Sequence, residues 1–560
     1  MSTSTALSGP VRPGAYQADL PQDRLILKET PDAEAVPMDV LFVGGGPGGL
    51  AGAIELARLV QKDNEAGGGL GDIEIGVLEK AGQLGEHCLS GAVVNPREFR
   101  ELFPDMDPSE FPLRRPVDKE GVYMLTEGGS FKLPTPPTMK NHGNWVASIC
   151  EIVRWLGEKA EALGVNLFPG FPADALLVDG DDVIGVRTTP SGLNRDGEPG
   201  GGDYMPAMDL TGRVTVLSEG TRGTLSQAWM RWQNLGSENP QIFALGVKEL
   251  WETKAPLDRV IHTMGWPLPG DAFGGSFMYP MEDNLVSFGL VVGLDYRDAR
   301  LDVHELLQRM KLHPLFRPYL EGGEMVEWGA KTIPEGGYYS VPTRRHGSGL
   351  VIVGDSAGYV DVPSLKGIHY AMHSGILAAR SIFRALKSGD TSEAGLRSYT
   401  DAVDKSYIMS DLKKTRNMRL AFKSGFYVGG FKAGLMSITG GSFPGGRIDV
   451  PEDADENRTV GSGGPSVAPD GKLTFSKVDA VFKSGNQTRD DVPSHLIVGD
   501  DVSPEAAELY VHMCPAGVYE RDGDELVVNA PNCVDCKATD VIGPRWTPRE
   551  GGSGPAYRRM

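Results

Sequence analysis

The sequence predicts a chain of α/β and α+β parts: a Rossmann-type nucleotide-binding domain, returned to after an insertion, then a small cysteine-bearing module. Three observations carry this. "MDVLFVGGGPGGLAGAIELARL" from residue 38 reads as strand, glycine turn and helix. "RVTVLSEG" (213–220) and "GLVIVGDSAG" (349–358) read as later strands of the same kind, each running into an acid beside a glycine. At about residue 445 the composition shifts to Gly, Pro and acids, and three of the five cysteines fall in the last 50 residues.

A chain of 560 residues, 40% hydrophobic, is long enough for about three domains. No apolar run reaches the ~18 residues of a membrane span. Residues 1–37 carry Pro, Ser, Asp and Glu without a basic n-region or apolar h-region, so they make a poor signal peptide, and the expectation is a disordered or surface-draped arm on a chain kept in the cytoplasm. Five cysteines are too few for a disulfide framework. A net charge of -20 argues against nucleic acid as a partner, because phosphate contacts need a basic face.

In the first segment Val40 to Val43 is the strand, and Gly44, Gly46 and Gly49 fit G-x-G-x-x-G, which lets backbone approach a pyrophosphate at a helix N-terminus. The next strand, "IEIGVLEK", ends in Glu79, an acceptor for adenosine ribose hydroxyls; it follows Gly49 by 30 residues because of an inserted loop, "QKDNEAGGGLGD". The two later strand ends, Glu219-Gly220 and Gly354-Asp355, resemble further fingerprints of flavin-dependent enzymes, a pattern in which Asp355 would bond a hydroxyl of the ribityl or diphosphate region. The helix beginning near Gly367 would aim free N–H groups at the flavin ring. Toward the C-terminus, Cys514 in "CPAGVYE" is followed by Cys533 and Cys536 in "NCVDCKATD", a spacing like half of a ferredoxin. A third cysteine of the tight run would stand at 539, where the residue is Thr539. Zinc, a redox dithiol and buried inert thiols are the other readings of this spacing.

From about residue 38 to the end, the sequence resembles the electron transfer flavoprotein-ubiquinone oxidoreductases. The blocks that carry the likeness, in order, include "GGGPGGL", "LEKAGQLGEHCLSGAVVNP", "NHGNW", "WLGEKAEALGV", "GVKELWE", "GGSFMYP", "FGLVVGLDY", "HPLFRPYLEGG", "KGIHYAMHSGILAARSIF", "CPAGVYE", "NCVDCK" and "PREGGSGPAY". The resemblance implies FAD, a 4Fe-4S cluster and a quinone site on one chain, and assigns Gly44, Gly46, Gly49, Glu79, Gly354, Asp355 and Gly367 to FAD and Cys514, Cys533 and Cys536 to the cluster. It places the quinone head group by the backbone of Gly274 and Gly275, and gives Tyr519 a part in tuning the cluster. A family threonine falls at Ala538 and the fourth cysteine at Thr539, so the resemblance implies either a 4Fe-4S cluster with one non-cysteine ligand (Thr539, Asp540, Asp535 or water) or a 3Fe-4S cluster. The implied division is an arm (1–37), a FAD-binding first part (38–225), a quinone-binding domain (226–340), a FAD-binding second part (341–400), a membrane-facing helical segment (401–445), a linker (446–470) and an iron-sulfur domain (471–560).

The implied activity is electron transfer from reduced electron transfer flavoprotein to ubiquinone or menaquinone. It suits a cofactor pair that accepts electrons singly and delivers two, with the protein supplying binding and potential. No proton donor for quinol formation is nameable from the sequence. The implied location is peripheral, on the cytoplasmic face of an inner membrane, through residues 419–441, where Phe422, Phe426, Tyr427, Phe431, Leu435 and Met436 alternate with Lys423 and Lys432 in a pattern that fits a shallow interfacial segment with snorkelling lysines. Two other classes are a FAD-dependent reductase of the geranylgeranyl-reductase type acting on a small organic substrate, and a non-catalytic flavoprotein with a zinc knot.

Overall fold

The structure is a computed structural model and describes residues 9–91, 93–442 and 445–560. Strand β1 (Val40–Val43) is buried at all four positions and leads through the glycine turn into helix α1 (Pro47–Glu65) and then strand β2 (Ile75–Glu79). Continuous burial of such apolar runs is what a parallel strand covered on both faces requires. A hairpin follows, β3 (Glu120–Thr126) and β4 (Gly129–Leu133), then the short strands β5 (Asn166–Pro169) and β6 (Val214–Leu217). Four long strands come next: β7 (Phe243–Glu252), β8 (Val260–Gly265), β9 (Gly274–Pro280) and β10 (Leu285–Gly293). Strand β11 (Glu324–Pro334) and the pair β12 (His346–Gly347) and β13 (Leu350–Ile352) lead to helix α2 (Ile368–Ser388) and, later, α3 (Phe426–Thr439).

The first sheet has order β5-β2-β1-β6-β13-β12 and is parallel except for the β12–β13 edge. The chain leaves β1 to one side for β2 and returns on the other side for β6. Such a switch point is where an α/β sheet opens a crevice for a ligand. Helices α1 and α2 cross against it at glycine: a Cβ on Gly375 would lie 2.1 Å from the Gly48 carbonyl oxygen. The second sheet has seven strands in the order β11-β7-β10-β9-β8-β3-β4. Its last two members come from residues 120–133, inside the stretch assigned to the first FAD-binding part. Val260 to Gly265 pairs in parallel with Glu120 to Leu125, which draws that hairpin across.

From Pro10 on, the expected disordered or draped arm is stitched into the body. Pro10–Val11 pairs with Arg458–Thr459, Ile26–Leu27 with Leu176–Leu177 and Val36–Pro37 with Leu210–Thr211, and Leu25 between them is fully buried. These apolar residues fill sheet edges that would otherwise present unpaired backbone. The C-terminal module shares one apolar core with the seven-stranded sheet: Leu509, Tyr510 and Met513 belong to the same buried cluster as Trp251, Phe288 and Trp328. No helix among the described residues is long and apolar enough to cross a membrane.

Candidate functional site

A single chamber runs from the glycine turn to the outer surface. At its inner end Gly44 has φ +110°, and a Cβ there would lie 2.3 Å from the Ser218 carbonyl oxygen; a Cβ on Gly49 would lie equally close to the Gly44 oxygen. Gly46 differs, because a Cβ on it would meet nothing within 4 Å. Two glycines therefore shape the turn and the third faces open space at a helix N-terminus, the geometry of a phosphate cradle. Glu79 lines the chamber while its carboxylate accepts the N–H of Gly45 at 3.0 Å and of Ala81 at 2.9 Å, so it also braces the turn. Glu219 also lines the chamber, while its carboxylate caps the helix Thr224–Trp232, accepting from the N–H groups of Leu225 and Ser226.

Gly354, Asp355 and Gly367 line the same chamber. Burial pushes the Asp355 carboxyl up to about 6, against the opposing charge of Lys331. Gly354 takes φ +64° and begins a 3-10 turn, and Gly367 precedes α2. Farther out, Gly274 and Gly275 also line the wall. A Cβ on Gly274 would lie 2.2 Å from the Val291 oxygen and one on Gly275 2.4 Å from the Thr263 oxygen. Contact between neighbouring strands thus already demands glycine at both, whatever lies in the chamber.

Sequence reasoning missed the polar groups of this wall, because they are scattered over β7 to β11. His262 Nε2 and the Tyr279 hydroxyl are 2.6 Å apart, and burial, aided by the charge of Lys366, pushes the imidazole down to about 3. Its Nδ1 is buried with no partner among the described residues. Lys248 donates to the Ser90 carbonyl oxygen at 3.0 Å and is pushed down to about 8 by burial. At the outer end, the chamber opens between the segment after β4 (Leu133, Pro136, Met139) and the face of α3 carrying Phe426, Gly430 and Gly434. Outside that mouth Phe131, Tyr427, Phe431 and Ile438 stand 63%, 83%, 71% and 84% exposed. Of the two lysines expected to snorkel, Lys423 cannot: it is paired with Asp295 at 2.9 Å and Glu456 at 2.6 Å, and this buried network points it inward. Met436 is likewise buried, on the inner side of α3.

Cys514, Cys533 and Cys536 line a small separate void together with Tyr519, Ala538 and Thr539. Backbone N–H groups are aimed at the sulfurs: those of Ala516 and Val518 at Cys514, of Asp535 at Cys533 and of Ala538 at Cys536. Asp535 (φ 53°) and Lys537 (φ 69°) take the left-handed conformation that curls the chain inward. Three convergent thiols with N–H donors suit thiolates holding iron and sulfide. Thr539 Oγ1 donates to the Pro544 carbonyl oxygen at 3.0 Å, so the Tyr519 hydroxyl, 2.6 Å away, donates to it.

The two acids named as possible fourth ligands are engaged elsewhere. Asp535 is paired with Lys80 at 2.5 Å and Arg549 at 2.9 Å and accepts from Trp546 Nε1 at 3.1 Å. Burial would raise its carboxyl, but Arg549 and Lys80 hold it well below the usual range. Asp540 is bound by Arg222, Gln227, Arg545 and the Trp546 N–H. Cys88 and Cys150 lie together and do not line the void, the Cys150 thiol donating to the Cys88 carbonyl oxygen. His495 has a ring nitrogen within 4.8 Å of the Cys533 sulfur and an Asp535 oxygen, a neighbour the spacing of the cysteines did not disclose.

One strand separates the two cavities. Lys331, Thr332 and Ile333 of β11 line the chamber, and the Thr332 N–H donates to the Cys536 carbonyl oxygen at 2.8 Å. Lys537, next in the chain to Cys536, lines the chamber and lies over the Trp546 ring, 3.0 Å from its centroid.

Two family models match this chain: "ETF-QO, ubiquinone-binding" over residues 243–333 and "Electron transfer flavoprotein-ubiquinone oxidoreductase, 4Fe-4S" over 471–558. Among similar proteins, the mitochondrial electron transfer flavoprotein-ubiquinone oxidoreductase of Oryza sativa subsp. japonica is 38% identical, over 94% of both chains. The enzyme of that name from Pseudomonas aeruginosa is 38% identical over 94% of this chain and 100% of its own, and the mitochondrial one of Homo sapiens 38% over 93% and 89%. A geranylgeranyl bacteriochlorophyll reductase-like crystal structure from Thermoplasma acidophilum aligns with TM-score 0.54 and 18% identity, over 73% of this chain and 98% of that one, a likeness of fold alone.

Proposed function

Because this chain belongs to the electron transfer flavoprotein-ubiquinone oxidoreductase family, we propose that it passes electrons from reduced electron transfer flavoprotein, through FAD and an iron-sulfur cluster, to a quinone dissolved in a membrane. The observation that carries this reading is the adjacency of the two cavities: Cys536 lines the thiol-walled void and Lys537, the next residue, lines the chamber. Consecutive Cα atoms are only ~3.8 Å apart, so the walls of the two cavities meet there and a group held in each would be a close neighbour of the other wall. A reductase acting on a small substrate would have no use for the second cavity.

FAD fits the chamber because Gly46 faces open space, Glu79 and Asp355 offer carboxylates along it, and the N-terminus of α2 enters it near Gly367. Bound there, it supplies a store that trades electrons one at a time or in pairs. The chain's own residues orient it: the turn Gly44 to Gly49 would take the pyrophosphate, and Lys248, Lys331 and Lys537 line the wall, where burial lowers all three amines. The quinone ring belongs beside Gly274 and Gly275, between the flavin position and the mouth, where an isoprenoid tail would leave past α3. The exposed Tyr427, Phe431, Ile438 and Phe131 support peripheral attachment there, on the cytoplasmic face in a bacterial cell, to a ubiquinone- or menaquinone-bearing leaflet. Cys514, Cys533 and Cys536 would hold an iron-sulfur cluster in the void that Thr539 also lines. The cluster would be a 4Fe-4S centre with an oxygen ligand or a 3Fe-4S centre, and electron paramagnetic resonance of anaerobically purified protein separates them.

The testing experiment is reduction of a ubiquinone by reduced electron transfer flavoprotein, with flavin, iron and sulfide counted on the same sample. Turnover with all three present is expected; protein holding flavin but no iron and turning over no quinone would overturn the reading.

A further inference from the structure

Making a quinol takes two protons as well as two electrons, and the chamber's outer mouth is apolar. A second cavity lies beside the chamber, and it is polar and open to the surface at Lys140, His142 and Lys414, all exposed. Four residues wall both cavities: Thr138, Lys366, Met418 and Ser437. Among them only Lys366 has a proton that dissociates anywhere near neutral pH.

The partition is built around that amine. Lys366 Nζ donates to Asn141 Oδ1 at 2.7 Å and to the Ser364 carbonyl oxygen at 2.9 Å. The Ser364 hydroxyl donates to Asp361 Oδ2 at 2.6 Å, and Asp361 N–H and Lys366 N–H each bond the other's carbonyl oxygen, closing a tight loop in which Ser364 touches both the acid and the amine, while the two form no direct ion pair. Asp361 faces the side cavity, 5% exposed, and its Oδ1 is buried without a hydrogen-bond partner among the described residues. A buried carboxylate oxygen with no donor is costly unless it holds a proton or meets solvent.

Resting on the quinone-reducing reading, we propose that the side cavity is the proton inlet of the chamber, Lys366 delivering protons to the quinone and Asp361 returning them to Lys366 from the solvent side. The balance is quinone plus two electrons plus two protons giving quinol. For each proton, an N–H bond of the Lys366 ammonium breaks and an O–H bond forms on a quinone oxygen, while the electrons arrive through the two redox stores. The amine left behind takes a proton from the Asp361 carboxyl by way of water in the side cavity that both line, and the carboxylate recovers one from bulk solvent.

The electrostatics favour this exchange. Burial raises the Asp361 carboxyl, with Ser364 opposing and Asp411 adding to the rise, and burial lowers the Lys366 ammonium to about 8 against Asp361 and Glu120. Burial thus favours the protonated carboxyl and the neutral amine, the two forms that must meet for the transfer from Asp361 to Lys366. Facing the pair from the packed elements are Asp411, Lys414 and Thr415 of the helix Tyr407–Thr415, His369 and Tyr370 of α2, Glu120 of β3 and His142. Asp411 is paired with Lys414 at 2.8 Å, and burial pushes His369 down to about 4.

The test uses flavin- and iron-loaded protein, reduced electron transfer flavoprotein, and two acceptors: a short-tailed ubiquinone and ferricenium, which takes an electron and no proton. Asp361→Asn is expected to lower quinone kcat about tenfold or more at pH 8, at the low end of what a positioned acid contributes, with KM for quinone little changed. The quinone-to-ferricenium turnover ratio should fall by the same factor, the deficit should shrink at pH 6, and added formate should restore part of the rate. Lys366→Gln should lower the ratio further, and Asp361→Glu should recover most of it. Should Asp361→Asn fold poorly, the ratio in Lys366→Gln decides. Unchanged ratios in these variants, with the natural protein active on quinone, would overturn the inlet alone; a natural protein that reduces ferricenium but no quinone would overturn the reading beneath it.

Discussion

The turn Gly44 to Gly49 and the loop Cys533 to Thr539 both aim backbone N–H groups at a bound group, yet they are held in shape by different means. In the turn the geometry is local. Gly44 takes φ +110° at no steric cost, and the crowding that forbids a Cβ comes from Ser218 and from the turn itself. In the loop the left-handed positions are Asp535 and Lys537, where a side chain makes that conformation cost roughly 1–2 kcal/mol per residue. What offsets the cost is distant: Lys80 and Arg549 on the Asp535 carboxylate and the Trp546 ring beneath Lys537. The first site is thus vulnerable to bulk placed in it, the second to the removal of a charge near it.

Gly46→Arg tests the first half of that contrast most severely. It should yield colourless protein whose iron content is normal and whose quinone turnover is at background; a yellow, flavin-replete variant would show that the space beside Gly46 is not needed. Asp535→Asn tests the second half. It strands Lys80 and Arg549 in a buried site, a change expected to cost ~3–5 kcal/mol, visible as a lower denaturant midpoint and lost iron with flavin retained. Equal loss of flavin and iron would erase the distinction between the two sites. A smaller effect belongs to the mouth: Tyr427, Phe431 and Ile438 replaced together by Ser should weaken liposome partition by about tenfold or more, given ~1.5–3 kcal/mol for full burial of each large apolar side chain. Short-tailed quinones should still be reduced. Smallest in energy is Thr539→Cys, which loses the bonds to Tyr519 and Pro544 at a cost of about 1–3 kcal/mol while giving a 4Fe-4S signal that better survives air; an unaltered spectrum would argue against Thr539 as the fourth position.

The same contrast explains what could be read from the sequence. Gly44, Gly46 and Glu79, at the ends of two adjoining strands, and Asp355, at the end of a third, were singled out from their strand-turn-helix settings, and the structure brings these four to one chamber. Cys514, Cys533 and Cys536 were legible by spacing, and the structure brings all three to one void. Lys423 was not, since the acids that turn it inward stand at 295 and 456, nor was the Asp361–Lys366 partition, whose meaning depends on two cavities meeting there. The arm was misjudged for a related reason: strands of two residues carry no periodicity, and their stability comes from the edges they join.

The apolar core that the C-terminal module shares with the seven-stranded sheet bears on how the protein is assembled. Leu509, Tyr510 and Met513 share one buried cluster with Trp251 and Phe288, and the Cys536 carbonyl oxygen accepts from the Thr332 N–H, so the module covers an apolar face of the sheet. The thiol-lined void is therefore completed only where module and sheet share their core. A truncation before the module would leave an unsatisfied hydrophobic face for chaperones to hold, and calorimetry should see sheet and module melt as one transition.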